Sequence, residues 1–217
     1  SGTLAAGDYL KNSLGTLNAV VEALECPTLL KNGYGEHNIQ GIGDKHVPLI
    51  HNVMNTDFVV GISDQATNNL NMIFNTDIGQ RYLTAKKGFD VELINRLPEF
   101  GFSTIANILA SIKLAKYMNL GKDDAIITVA TDGADLYLSE LEKTKREFKG
   151  IYDESMCAEI YGQYLKGIST DHTLELNQKE KERIFNLGYY TWVEQQGIDL
   201  EDFEKRRDQN FWNDHFQ

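Results

Sequence analysis

Cysteine and proline are both scarce in this chain, with two and three residues respectively among 217. Cys26 and Cys157 lie far apart, with no Cys-x-x-Cys or zinc-finger spacing. That excludes a disulfide scaffold and fits a reducing compartment, expected to be the cytoplasm. Positive charge is short as well: 21 Lys and Arg face 32 Asp and Glu, a formal net charge of −11. A chain of that sign has no electrostatic footing for a general nucleic-acid role or for binding an anionic membrane. Long apolar runs are missing; the longest are strand length or are broken by Lys and Asn, so neither a membrane span nor a leader peptide is expected. The five histidines include no i, i+4 pair, and no metal site is expected. No repeat or low-complexity stretch is present.

What is there reads as alternating helices and strands. Leu4 to about Leu14 has helical character, and Ala19, Val21 and Ala23 alternate within a strand at 18–25. Cys26–Pro48 is rich in Gly with little periodicity, the mark of a long functional loop. Phe58–Ile62 is a β-branched apolar run, followed by Asp64 placed to cap a helix through about Leu83. Ser103 reads as the N-cap of a helix whose stripe is Ile105, Ile108, Leu109, Ile112 and Ala115. Ala125–Ala130 is apolar throughout, as in a strand covered on both faces. The expected fold is therefore α/β, a mainly parallel sheet between helices over 1–150, with a helical extension over 151–217. In the extension, Asp153–Lys166 is amphipathic, Asn177 with Glu180 forms a capping-box signature, and a short helix follows Asp199. The aromatic residues Tyr189, Tyr190, Trp192, Phe211, Trp212 and Phe216 form a surface expected to pack on its own domain or on a second subunit.

Four segments stand in one order: the opening run from Ser1-Gly2-Thr3 to Lys11, His37–Gly43, Phe58–Ser63 with Asp64-Gln65, and Gly101–Ala106 opening a long helix. Over about residues 1–140 this resembles the C-terminal half of the cysteine synthase and cystathionine β-synthase-like family, pyridoxal-phosphate enzymes of fold type II, the fold also of the tryptophan synthase β chain. The resemblance implies β-elimination or β-replacement on a small amino-acid substrate, a homodimer, and an N-terminal half that completes the enzyme. A different fold-type-II lyase or thiolase, or a non-catalytic regulatory module on the same scaffold, remains the alternative.

The same resemblance assigns the sites. Ser1, Gly2 and Thr3 would donate N–H groups to the cofactor phosphate, as a Gly-rich turn at a helix N-terminus can; on the residues alone they could equally be a frayed end. Ser103 would meet the pyridine nitrogen, with Thr131 and Asp132 close to the ring, where the family has a Pro-Ser-Ser-Gly stretch. Gln40, Gly41, Ile42 and Gly43 would line the substrate side, where a Cβ obstructs; read alone they are a turn. Thr104-Ile105 stands where the family has Ser-Gly. No lysine occupies a motif matching the one that carries the cofactor, so no catalytic residue is assigned and these residues alone are expected to be inactive.

Overall fold

The computed structural model describes residues 2–215. Their elements run α1 (Gly2–Leu14), β1 (Ala19–Ala23), α2 (Thr28–Lys31), β2 (Phe58–Ile62), α3 (Asp64–Phe74), α4 (Asp77–Lys87) and α5 (Val91–Arg96). They continue with α6 (Phe102–Tyr117), α7 (Leu138–Glu147), α8 (Glu154–Tyr161), β3 (Thr173–Glu175), α9 (Gln178–Tyr189), α10 (Leu200–Lys205) and α11 (Gln209–Asn213). Helix dominates, and the strands form one small sheet in the order β1-β2-β3. The chain divides into two compact units, one of residues 1–36, 43–61 and 172–217, the other of 37–42 and 62–171.

In the first unit β2 and β3 pair antiparallel, with Val59 opposite Leu174. Strand β2 is buried along its whole length. Its Val59 joins Leu29, Val47, Val53, Leu176, Ile184, Phe185 and Phe203 in one core. The aromatic-rich segment after residue 172 is thus built into its own unit rather than standing apart. Helix α9 grips the loops beneath it: Trp192 Nε1, just past its end, donates to the Val47 carbonyl at 2.7 Å, Lys181 to Met54 at 3.0 Å and Arg183 Nη2 to Leu29 at 2.8 Å. Asn177 caps α9 by accepting from the Glu180 N–H at 3.0 Å. The Glu180 carboxylate takes Arg183 Nε at 2.7 Å.

Helix α1 is fixed by polar contacts, which explains the Gly7-Asp8 pair. Asp8 is buried and accepts from Asn18 Nδ2 at 3.0 Å and Asn55 Nδ2 at 2.9 Å, while Lys11 meets the Asp57 carboxylate at 2.6 Å. A Cβ on Gly7 would come within 2.4 Å of Asn18 Oδ1, so only glycine lets the helix approach that closely.

The sequence alternation in β1 misses its main inward group. Glu22 is buried beside Ala23, and its two carboxylate oxygens accept the N–H groups of Leu29 at 3.0 Å and Leu30 at 2.8 Å, capping α2 from a neighbouring strand. Burial raises its pKa against the pull of those two N–H groups. Glu22→Ala leaves two buried donors without acceptors and is expected to cost about 2–4 kcal/mol, read by urea unfolding. Glu22→Gln keeps one acceptor oxygen and should recover part of the loss; equal stability of all three proteins would refute the assignment.

In the second unit α3 packs against α4, α6, α7 and α8. The single helix expected from Asp64 to Leu83 is two. Thr76 caps α4 by accepting from Gly79 N–H at 3.2 Å, and a Cβ on Gly79 would lie 2.1 Å from the Ile73 carbonyl oxygen. Glycine is what allows the chain to turn back so tightly after α3. The cap of α3 is Ser63, which accepts from Ala66 N–H at 3.2 Å. The largest correction concerns Ala125–Ala130, which is neither a strand nor buried: Ile127 is 76 % exposed. A strand exists only where a neighbour completes its hydrogen-bond ladder, and among the described residues none lies alongside this segment. Its tether is Asn107 Nδ2, donating to the Val129 carbonyl at 3.0 Å. An α/β class stands, with a small sheet in place of the large parallel one expected.

Candidate functional site

The N-terminus of α6 is where the structure draws the assigned residues together. The N-cap is Gly101, and Ser103 lies inside the first turn, buried, without any capping bond. The sequence reading of Ser103 as a cap is thereby corrected: Phe102 must turn inward to stack on Tyr137 at 4.7 Å, which starts the helix one residue before Ser103. Freed from capping, the Ser103 hydroxyl pairs with Thr131 Oγ1 at 3.0 Å. Thr131 itself is exposed.

Asp132 is held in two ways. Its carbonyl accepts from Gly101 N–H at 2.7 Å, and its carboxylate accepts from Tyr137 OH at 3.1 Å. A Cβ on Gly101 would stand 2.7 Å from both the Asp132 carbonyl oxygen and the Tyr137 ring. The loop 131–133 is therefore pinned to the start of α6. Burial, and after it the bond to Asp132, raises the Tyr137 pKa; the charge of Asp132 is committed to that phenol.

Gln40, Gly41 and Ile42 form a turn in the same unit, closed by the Ile42 N–H on the Ile39 carbonyl at 3.3 Å. Gly41 and Gly43 have φ of 81° and 83°, the left-handed region that favours glycine. Gln40 is exposed and Ile42 buried. The turn is anchored by a residue whose part the sequence did not reveal. Asp64, the first residue of α3, accepts the N–H groups of Asn38 at 2.6 Å and Ile39 at 3.2 Å. Asn38 Nδ2 in turn donates to Asn68 and Glu140, both at 3.0 Å.

Gly2 and Thr3 lie in the exposed first turn of α1, in the unit that also contains Gly43. Ser1 falls outside the described residues. The structure thus pairs Ser103 with Thr131, holds Asp132 at the start of α6, and sets the 40–42 turn in their unit.

One further group fits a ligand with an unprotonated ring nitrogen. Thr104 Oγ1, next to Ser103, is buried and makes no hydrogen bond. A buried hydroxyl costs free energy unless something pairs with it. Together with the Ser103–Thr131 pair, it puts hydroxyl groups on the first turn of α6, which is assigned to the pyridine nitrogen. These residues fit the cofactor that the resemblance implies. Among the described residues no group of three His, Cys, Asp or Glu side chains is placed to hold a metal ion, and no helix is long and apolar enough to cross a membrane.

The described residues thus form a helix-rich α/β chain with a hydroxyl pair at the start of α6 and a glycine turn in the same unit. No family model matches it. Among curated proteins it is similar to Cysteine synthase B of Campylobacter jejuni, with 34 % identity over 140 residues, 64 % of this chain and 40 % of the relative. The resemblance read from the motifs is borne out by that similarity, and the chain spans well under half the length of the relative.

Proposed function

We propose that this chain is the C-terminal portion of a cytoplasmic pyridoxal-phosphate enzyme that performs β-elimination or β-replacement on an amino acid, in the manner of a cysteine synthase. The observation that carries this reading is the 34 % identity to Cysteine synthase B. Pyridoxal phosphate, when bound, supplies an electron sink for the carbanion at the substrate α-carbon. Ser103 would offer its hydroxyl to the ring nitrogen, with Thr131 Oγ1 at 3.0 Å as its second partner. A neutral hydroxyl leaves that nitrogen largely unprotonated and so moderates the sink, which favours chemistry at Cβ over transamination. The N–H groups of Gly2 and Thr3 would help hold the phosphate. The turn Gln40–Gly43 would face the substrate, its glycines leaving backbone exposed to a small amino acid.

The lysine that carries the cofactor is assigned to residues outside these 217. Of the lysines weighed here, Lys86 pairs with Glu154 at 3.0 Å, Lys87 lies over the rings of Tyr82 and Tyr161, and Lys45 stands exposed in a loop. The same outside residues would extend the sheet to a mainly parallel one, give 125–130 a neighbour, and complete a homodimer.

The test uses the complete polypeptide that contains these residues, assayed for cofactor content and for cysteine formation from O-acetylserine and sulfide. Ser103→Ala should retain the fold and lower turnover about tenfold, the worth of one lost hydrogen bond to a charge-bearing system. Ser103→Asp should shift the cofactor absorbance by raising ring protonation. Wild-type turnover and spectrum in both variants would overturn the role of Ser103, and absence of bound cofactor in the complete polypeptide would overturn the whole reading.

A further inference from the structure

We propose that Arg206 anchors a binding site for a small oxyanion, in the unit containing residues 172–217. Arg206 follows α10 and is only 5 % exposed. The one hydrogen bond of its guanidinium among the described residues runs from Nη2 to the His51 carbonyl at 3.5 Å. Nε and Nη1 are buried and bond to nothing among those residues. Nearby carboxylates are spoken for: Glu204 and Glu182 both pair with Arg207, and Asp208 accepts from the Asn210 N–H at 2.9 Å. Burial alone accounts for the fall of the Arg206 pKa to about 10, with no acid opposing it.

Aromatic rings surround the guanidinium without answering its N–H groups. Its central carbon lies 5.0 Å from the centroid of Phe203, 5.3 Å from Phe185 and 5.9 Å from Trp212. Ring faces compensate charge, but a guanidinium needs acceptors for each N–H it buries. A second unsatisfied donor stands three residues on in the chain. Gln209 Nε2 is buried without a partner, while Gln209 Oε1 accepts from Asn52 Nδ2 at 3.1 Å. Asn52 Oδ1 is likewise unpaired; flipping both amides exchanges which of them carries the free donor without removing it. Among the described residues the surplus is of donors, around a cation with no counter-ion there. Phosphate, sulfate or a carboxylate, all acceptor and all negative, supplies what is missing. The short helix α11, with no buried residue, follows Arg206 and carries both Gln209 and Trp212.

The experiment is isothermal titration calorimetry of the 217-residue chain, without pyridoxal phosphate, at constant ionic strength. Inorganic phosphate, sulfate and acetate are the three probes, with chloride as the control. Saturable binding of at least one probe is expected, lost in Arg206→Gln, weakened about tenfold in Gln209→Ala and unchanged in Arg207→Gln. Tetrahedral probes alone would identify a phosphate or sulfate site, and acetate a carboxylate site. If Arg206→Gln fails to fold, Gln209→Ala decides. Absence of saturable binding, or binding that Gln209→Ala leaves intact, overturns the proposal and makes Arg206 a cation held by its rings alone. Because no cofactor is present, the outcome does not depend on the enzymatic reading.

Discussion

Phe203→Ala is expected to destabilise the unit that contains it by about 3–5 kcal/mol, as removal of a fully buried aromatic side chain does. Phe203 is 1 % exposed, its ring centroid lies 4.8 Å from Phe185 and 6.4 Å from Tyr189, and it belongs to the core built around Val59 of β2. Helix α9 comes close enough that a Cβ on Gly188 would already touch the ring at 3.4 Å. The space left by alanine therefore has helix backbone on one side and packed side chains on the other, and collapses poorly. A loss of that size is a large part of the stability of any domain. Urea unfolding followed by tryptophan fluorescence measures it, with half-buried Phe211→Ala as a control expected to cost about 1 kcal/mol. A loss under 1 kcal/mol for Phe203→Ala would show that the C-terminal helices are an appendage after all.

Acid should weaken the fold through His51. The ring is buried, and Thr56 Oγ1, which spends its proton on the Asn52 carbonyl at 3.2 Å, must accept from His51 Nε2 at 2.9 Å. Nε2 therefore carries a proton, and burial, then the nearby charge of Arg206, pushes the pKa of the ring to about 4, so that it is neutral at pH 7. The unfolded chain binds a proton at His51 below its ordinary value of about 6.5, whereas the folded chain does not until about 4. Stability contributed by His51 is thus present above pH 6.5 and lost as pH falls from 6.5 to 4, by about 3 kcal/mol in all. Buried Asp8 and Glu22, whose pKa values are raised by burial, act in the opposite direction over the acid range. The difference between wild type and His51→Gln, taken at each pH, isolates the histidine. Parallel curves for the two proteins would show that His51 takes up its proton in the folded state.

The site was legible in the sequence where backbone geometry dictates residue type. Gly41 and Gly43 stand at positive φ, and a run of glycines between polar residues announces such a turn by itself. Ser103, Thr131 and Asp132 were named from their resemblance to a family, and their contacts at 3.0 Å and 2.7 Å depend on Gly101 and Phe102 setting where α6 begins. Asp64 and Glu22 were not legible as anchors. Each carboxylate accepts N–H groups from another segment, 25 residues away for Asp64 and Ile39 and seven for Glu22 and Leu29, and nothing in local periodicity records such a partner.

By itself the sequence determined the helices that carry their own caps. Asp153 accepts from Ser155 and Met156, Asn177 from Glu180 and Asp199 from Glu201, because a cap is a bond between residues two or three apart. It also determined β1 and β2, whose β-branched residues suit a pleated surface, and the family resemblance held in the order of four segments. Only the tertiary structure decided that 64–87 breaks at Asn75-Thr76, that 125–130 is not a strand, that residues 172–217 share a unit with 1–36, and that Arg206 lies buried without a counter-ion among the described residues. The reason is one of range. A helix closes its hydrogen bonds within four residues and can be read from its own stretch, whereas a strand, a core position or a buried charge is defined by groups that the chain brings from far away.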